Sequence, residues 1–310
     1  LIKKKKKKKK KKREKKMDLK EEIYEAYGDK LGETTKRQSA LKISNWLSYT
    51  PYETVREMVE HPEECKMYLE SSSIKQTVSN YHVHMSAMVS YITHVLEDEQ
   101  AVKPWKEMMR ENWSEIAERY DENRPSDLQK GKIMDWGEIV EKRDKLEYGS
   151  MERLLLSFYT KIEPIRADYF ATELVAEAEE KKKAVADNYI KLGTGELVVR
   201  DFKMKRKYDK IENRISEELM DELRVSLEKN PRMYLFVMED KKPYQTRKAF
   251  SNWACRVLTR VLNHPMTLTV LRHLYIMNNK EKSGKELTEI AKRMGHSRMM
   301  QRVYEWKIER

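Results

Sequence analysis

Residues 294–306 read "MGHSRMMQRVYEW". The segment before them, "GKELTEIAKRM", has a helical pattern, and Gly295 is a helix-terminating glycine. His296 therefore sits in the link between two helices. Tyr304, eight residues further on, belongs to the next helix. This arrangement lets a loop-borne histidine and a helix-borne tyrosine converge on one point. Taken alone, Tyr304 reads either as an aromatic on the buried face of a last helix or as a nucleophile.

Upstream of this stretch, "TRKAFSNWACRVLTRVLN", "TLTVLRHLYIMNN" and "GKELTEIAKRMGH" give three helices, and "SEELMDELRVSLEKN" gives another capped by Ser216. "RMYLFVM" reads as a short strand or an extended stretch. "KAVADNYIKLGTGELVVRDFKM" carries the convincing β signal: Asn188–Lys191 and Glu196–Phe202 flank a Gly-Thr-Gly turn and form a hairpin. "MERLLLSFYTKIEPIRADYFATELV" is apolar and helical up to Pro164. "DWGEIVEKRDKL" is a short helix in a connector, with Asp135 and Glu138 placed for a capping box.

The first half reads as helix throughout. "SIKQTVSNYHVHMSAMVSYITHVLED" sets Val78, Tyr81, Met85, Met88, Val89, Ile92 and Val95 on one stripe. "TTKRQSALKISNWLSYT" and "PYETVREMVEHP" give two shorter helices, the second opening at Pro51. "AVKPWKEMMRENWSEIAERYDEN" gives another, which Pro104 begins or breaks. The expected fold is mainly α with a small β-hairpin or sheet. Its domains are a helical one over 17–145 and an α+β one over 146–310.

Composition narrows the function classes. No apolar run approaches the length of a membrane span, and no secretory signal is present. Cys65 and Cys255 are far apart without metal spacing, which points to reduced thiols of an intracellular protein. His82 and His84 lie two apart on a helix and point to different faces, so they are not read as metal ligands. The net charge of +12 belongs entirely to residues 1–16, "LIKKKKKKKKKKREKK", with 13 Lys/Arg and one Glu. That tail repels itself and is expected to be disordered. It is either a basic arm or a non-native extension before a start at Met17, and the second is favoured. The remaining chain balances, but unevenly. Residues 241–310 hold 16 Lys/Arg and 5 Asp/Glu, a charge of +11, so 17–240 carries −11. The last quarter thus suits a polyanionic partner.

Five elements of the second half could carry chemistry: Arg166 in "PIRADYF", the lysines of "FKMKRKYDK", Arg272 and His273 in "TVLRHLYI", His296 in "MGHS", and Tyr304. Each has a plain reading. A lone Arg on an apolar helix is salt-bridged or snorkelling, lysines after a hairpin are solvated, and a tyrosine on a last helix is core. Their order is what resembles the tyrosine recombinase (phage-integrase type) catalytic domain. Motifs cover about 146–310, and the helical first half resembles, less specifically, the DNA-clamping core-binding domain. The pattern is most similar to divergent integrases of eukaryotic mobile elements and large DNA viruses. Those show an RxDY-like first box and a Gly-His-Ser eight residues before the tyrosine.

The resemblance implies a site-specific DNA recombinase that cuts and rejoins strands through a 3′-phosphotyrosyl link. It needs no cofactor, metal or nucleotide, contacts no membrane, and acts as a tetramer on two sites of double-stranded DNA. It would work in the nucleus or where viral DNA replicates. Arg166 and Arg272 match the two arginines that grip the scissile phosphate, His296 the third-box histidine and Tyr304 the nucleophile. The general-acid lysine is one of Lys203, Lys205 and Lys207, and Lys203 is chosen because it directly follows "ELVVRDF". Lys205, Lys207, His273, Arg298 and Arg302 are expected to contact DNA. The chemistry suits these residue types. Forked guanidiniums neutralise a phosphorane, a lysine protonates the leaving 5′-oxygen, and the covalent link conserves bond energy.

Two positions depart from the pattern. Thr269 stands where a histidine usually precedes the second arginine by three residues; it can donate to phosphate but cannot act as a base. Asp168 follows Arg166 by two residues instead of three, and reads either as a buttress of Arg166 or as a surface carboxylate. The alternatives are a type IB topoisomerase, a telomere resolvase, a non-catalytic DNA-binding or virion protein with the same fold, and a plain helical scaffold.

Overall fold

The computed structural model describes residues 19–72, 78–176, 188–202, 204–205 and 208–306. The polylysine tail lies outside them. The chain divides into two compact units at Tyr120/Asp121.

The first unit is all helix. Residues 19–26 are helical (α1), followed by α2 (Glu33–Leu47), α3 (Val55–Glu60), α4 (Pro62–Glu70), α5 (Val78–Tyr91) running into a π-helical turn (Ile92–Leu96), and α6 (Val102–Asp121). The stripe on α5 does what its spacing requires: Met85, Met88 and Ile92 are fully buried, and Tyr81, Val89 and Val95 pack at the margin. They meet Ile43 and Trp46 of α2, and Trp46 packs edge-on against Trp105 at 5.4 Å. Both indole N–H groups are satisfied inside the core, by the carbonyls of Cys65 (2.9 Å) and Val59 (3.2 Å). Cys65 and Cys255 are free thiols. Pro51 does not open a helix. The helix starts at Val55, where Thr54 caps it in a reciprocal box with Glu57; Pro62 occupies the first turn of the helix after it. Pro104 begins α6 and does not break it.

The second unit is mixed. After α7 (Asp127–Lys130) come α8 (Trp136–Lys145), α9 (Met151–Thr160), a 3-10 turn (Ala167–Tyr169), strands β1 (Glu173–Val175), β2 (Tyr189–Lys191), β3 (Glu196–Val199) and β4 (Ile211–Arg214), and helices α10 (Glu217–Lys229), α11 (Arg247–Leu262), α12 (Leu268–Asn278), α13 (Gly284–Arg293) and α14 (Arg298–Tyr304). The boundary read from sequence at 145/146 moves, because α8 packs on α9, α11 and α12 and places the fully buried Ile139 in their core. Asp135 caps α8 by accepting from the Glu138 N–H, and Ser216 caps α10.

The expected hairpin is β2–β3, with Ile190 opposite Leu197 and Gly195 at φ +70° in its turn. It is the centre of a four-stranded sheet in the order β1-β2-β3-β4, with β1 parallel to β2 and β4 antiparallel to β3. The two outer strands are not announced by pattern. β1 is only three residues long and pairs in parallel with β2. β4, "IENR", turns a polar residue inward, and Asn213 is 5% exposed. "RMYLFVM" forms no strand and contributes two isolated bridges, Glu173–Tyr234 and Val237–Pro243. Helix α9 stops at Thr160, short of Pro164, and the chain then enters the turn that carries Arg166. Among the described residues no helix is long and apolar enough to cross a membrane.

Candidate active site

Arg272 lies on α12 among apolar neighbours, 1% exposed. A buried guanidinium needs hydrogen-bond acceptors. Its Nη1 donates to the Pro164 carbonyl at 2.7 Å and its Nη2 to Nδ1 of His296 at 3.2 Å. Burial lowers its pKa from the usual arginine value, with the nearby Tyr304 opposing and Arg166 adding to the shift. Arginine nonetheless stays protonated in proteins.

The Gly-His-Ser of the opening stretch performs three local jobs. Gly295 closes α13 with φ +71°: its N–H donates to the Lys292 carbonyl and the His296 N–H to the Ala291 carbonyl, both at 3.0 Å. This pair of bonds is the Schellman closure. A Cβ at position 295 would be strained at this φ and would stand 2.6 Å from Cδ1 of Ile211, whose side chain would have to shift. Ser297 starts α14: its hydroxyl accepts from the Met300 N–H at 3.3 Å and its carbonyl from the Gln301 N–H at 3.0 Å. Between them His296 is turned inward, 3% exposed.

Its protonation follows from its partner. Guanidinium only donates, so Nδ1 of His296 accepts and the ring proton of the neutral form is on Nε2. That Nε2 is buried and, among the described residues, has no hydrogen-bond partner. Burial first, and then the charges of Arg272, Arg166 and His273, push the His296 pKa down to about 3. The group is therefore a neutral N–H donor lacking an acceptor.

Tyr304 closes α14, half-buried. Its ring stacks parallel to His296 (5.3 Å, 8°) and lies over the Arg272 guanidinium, 5.7 Å from the ring centroid. His273, the next residue on α12, holds the same segment from the other side. Its Nδ1–H donates to the Tyr304 carbonyl at 3.1 Å, and its ring stacks on Trp306 at 3.8 Å and 14°. It is 6% exposed, and burial lowers its pKa to about 4. In this structure His273 contacts the tyrosine segment through ring stacking and the carbonyl bond.

Arg166 precedes the 3-10 turn. Its carbonyl accepts from the Tyr159 hydroxyl at 2.8 Å. Its side chain is half-buried, and among the described residues it has no carboxylate partner. Its charge acts on Arg272, on His296 and on Asp168. Asp168 is neither a buttress of Arg166 nor a surface group. It is 2% exposed and paired with Arg247, whose Nε reaches Oδ1 at 2.5 Å. Burial raises the Asp168 pKa, and Arg247 opposes that shift.

The other expected residues are less central. Thr269 is exposed in the first turn of α12, with no hydrogen bond to Arg272, His296 or Tyr304 among the described contacts. Arg298 is half-buried and paired with Glu305 at 2.5 Å, so it is not a free cation. Lys205 is exposed and pairs with Asp201 at 2.9 Å. Lys203, Lys207 and the side chain of Arg302 lie outside the described residues. Sequence reasoning missed Arg247, Asn188 and Trp306. Only Trp306 left a signal, an aromatic two residues after the tyrosine.

Arg166, Arg272 and His296 together offer two cations and a neutral donor beside a phenol. Such a cluster of hydrogen-bond donors and positive charge favours an anion. No protein-family model matches the chain, and no curated protein matches it. Among solved structures, the chain is similar to a XerA recombinase (TM-score 0.43, 12% identity, 94% of this chain and 95% of that one). It is also similar to a protelomerase TelA variant covalently complexed with substrate DNA (TM-score 0.41, 11% identity, 94% and 95%). A third is the integrase from mycobacterium phage Brujita (TM-score 0.36, 10% identity, 91% of each).

Proposed function

We propose that the chain is a DNA strand transferase of the tyrosine recombinase type, with Tyr304 as nucleophile. One observation carries this reading. Arg272 bonds His296, and both lie against the Tyr304 ring, although they come from α12, the α13–α14 link and the end of α14. This proximity supports the reading that the order of these residues in the sequence suggested, and the charge of Arg166 acts on the same histidine.

In the proposed reaction the Tyr304 oxygen attacks phosphorus, the P–O5′ bond breaks, and a 3′-phosphotyrosyl ester forms. Arg166 and Arg272 offset the charge of the phosphorane. His296 contributes its Nε2–H to a nonbridging oxygen. It does not serve as the base for the phenol, since Nδ1 is engaged by Arg272 and Nε2 carries the proton. The phenol passes its proton to solvent water, and the 5′-oxygen gains one from a lysine of the β3–β4 connection, for which Lys203 is the choice and which regains its proton from water. The step is therefore proton-neutral, and religation is its reverse. Duplex DNA is the partner, and a tetramer on two sites is the assembly in which paired strands exchange. The +11 charge of residues 241–310 supports a DNA-facing role for the second unit. The similarity to integrases of eukaryotic mobile elements and large DNA viruses belongs to this reading too.

A nicked suicide duplex tests it. Wild-type protein should form a covalent adduct that survives denaturing gels. Tyr304→Phe should abolish that adduct and leave DNA affinity within about threefold, since only the attacking oxygen is lost. An adduct formed by the Phe variant would show that another residue is the nucleophile.

A further inference from the structure

A second set of charges lies beside the site, and the chemistry above makes no use of it. Arg247 is the first residue of α11. Its Nε bonds Asp168 Oδ1 at 2.5 Å, and its Nη2 bonds Asp201 Oδ2 at 2.7 Å. Asp168 belongs to the turn that follows Arg166, and Asp201 follows the end of β3. Asn188, at the start of β2 and 3% exposed, joins the same two segments through the main chain. Its Nδ2 donates to the carbonyls of Asp168 (2.8 Å) and Asp201 (3.1 Å), and its Oδ1 accepts from the N–H groups of Arg200 (2.9 Å) and Asp201 (2.8 Å). These bonds use both donors and both lone pairs of the amide.

The two links have different consequences. The amide fixes where the segments lie. The arginine decides what their carboxylates do. Asp168 stands two residues from Arg166 and is almost wholly buried, so its charge must find a cation. Arg166 is close enough to act on it electrostatically. Yet Arg247 holds Asp168, and among the described residues Arg166 is left without a carboxylate.

We propose that Arg247 is a positioning residue: by occupying Asp168 and Asp201 it keeps the Arg166 guanidinium free and directed at the scissile phosphate. The proposal rests on the strand-transfer reading. Without Arg247, Asp168 competes with DNA for Arg166. The group that should stabilise the phosphorane is then drawn into an internal ion pair.

The experiment is a double-mutant cycle on single-turnover adduct formation with the suicide duplex, DNA affinity and melting temperature being measured on the same samples. Arg247→Met should slow adduct formation by roughly tenfold to a hundredfold, the range for a displaced catalytic contact, with DNA affinity nearly unchanged. On an Arg166→Ala background the same change should cost less than about twofold, because the group it acts through is gone. Asp168→Asn combined with Arg247→Met should recover much of the rate. If Arg247→Met does not fold, Arg247→Lys, which retains a cation at Asp168 but not the fork, enters the same cycle and should show a smaller, equally non-additive loss. A wild-type rate in the Arg247 variants overturns the proposal. So does a loss that simply multiplies with that of Arg166→Ala, which marks a purely structural role. A wild-type lane with no adduct removes the strand-transfer reading itself, and the proposal with it; that blank lane is distinct from either outcome in the variants.

Discussion

Acidification should destabilise the second unit through His296 and His273. Both are held neutral inside it, with pKa values pushed to about 3 and about 4. In the unfolded chain each returns to the ordinary value near 6.5. For a base whose folded pKa is depressed, the unfolded state binds the extra proton between those two values. Stability is therefore complete above about pH 6.5 and falls as the pH drops towards the folded pKa. The slope is about 1.4 kcal/mol per pH unit for each histidine, so moving from about pH 8 to about pH 5 costs roughly 2 kcal/mol at each. The sum, roughly 4 kcal/mol, is an upper bound, because His273 is among the causes of the shift at His296. Urea unfolding followed by circular dichroism across this range measures the loss. Burial also lowers the pKa of His82 and His84 in the first unit, so the diagnostic quantity is the difference in slope between wild type and variant. His296→Gln should remove about half of the second unit's pH dependence, and the pair His296→Gln with His273→Asn nearly all of it. An unchanged slope in His296→Gln would mean that His296 is not a buried neutral imidazole, and its role as an Nε2–H donor to phosphate would fall with it.

Two further outcomes follow from the opening stretch. Gly295→Ala forces a side chain into φ +71° and to within 2.6 Å of Ile211, so it should destabilise the second unit by about 1–3 kcal/mol and slow adduct formation by displacing His296; urea midpoints and adduct yields measure both. Gln301, fully buried on α14, has neither amide atom hydrogen-bonded among the described residues, so Gln301→Leu should raise stability by about 1 kcal/mol, read as a higher melting temperature, and a lower one would show that the amide has a partner worth keeping.

Local chemistry made much of this protein legible without coordinates. Three- and four-residue spacing on α5, the Ser216 cap, the Gly-Thr-Gly turn and the terminating Gly295 each act over a few residues, and each appears where its pattern stood. Strands β1 and β4 were not legible, since β1 is only three residues long and β4 turns Asn213 inward where an alternating pattern calls for an apolar residue. The unit boundary moved because Ile139 joins the second core through packing that no linker composition records.

The same division runs through the site. The order of Arg166, Arg272, His296 and Tyr304 along the chain is a property of the sequence, and it was enough to suggest the chemistry. What each residue can do is decided by neighbours that sequence distance hides. His296 is a donor and not a base because Arg272 takes its Nδ1. His273 holds the tyrosine segment because Tyr304 and Trp306 fold back onto it. Asp168 belongs to Arg247 and not to Arg166, two residues away. Sequence determines which residue types are available and how far apart they stand along the chain. Charge state and pairing depend on desolvation and on contacts a few ångströms long, and those exist only once the chain has folded.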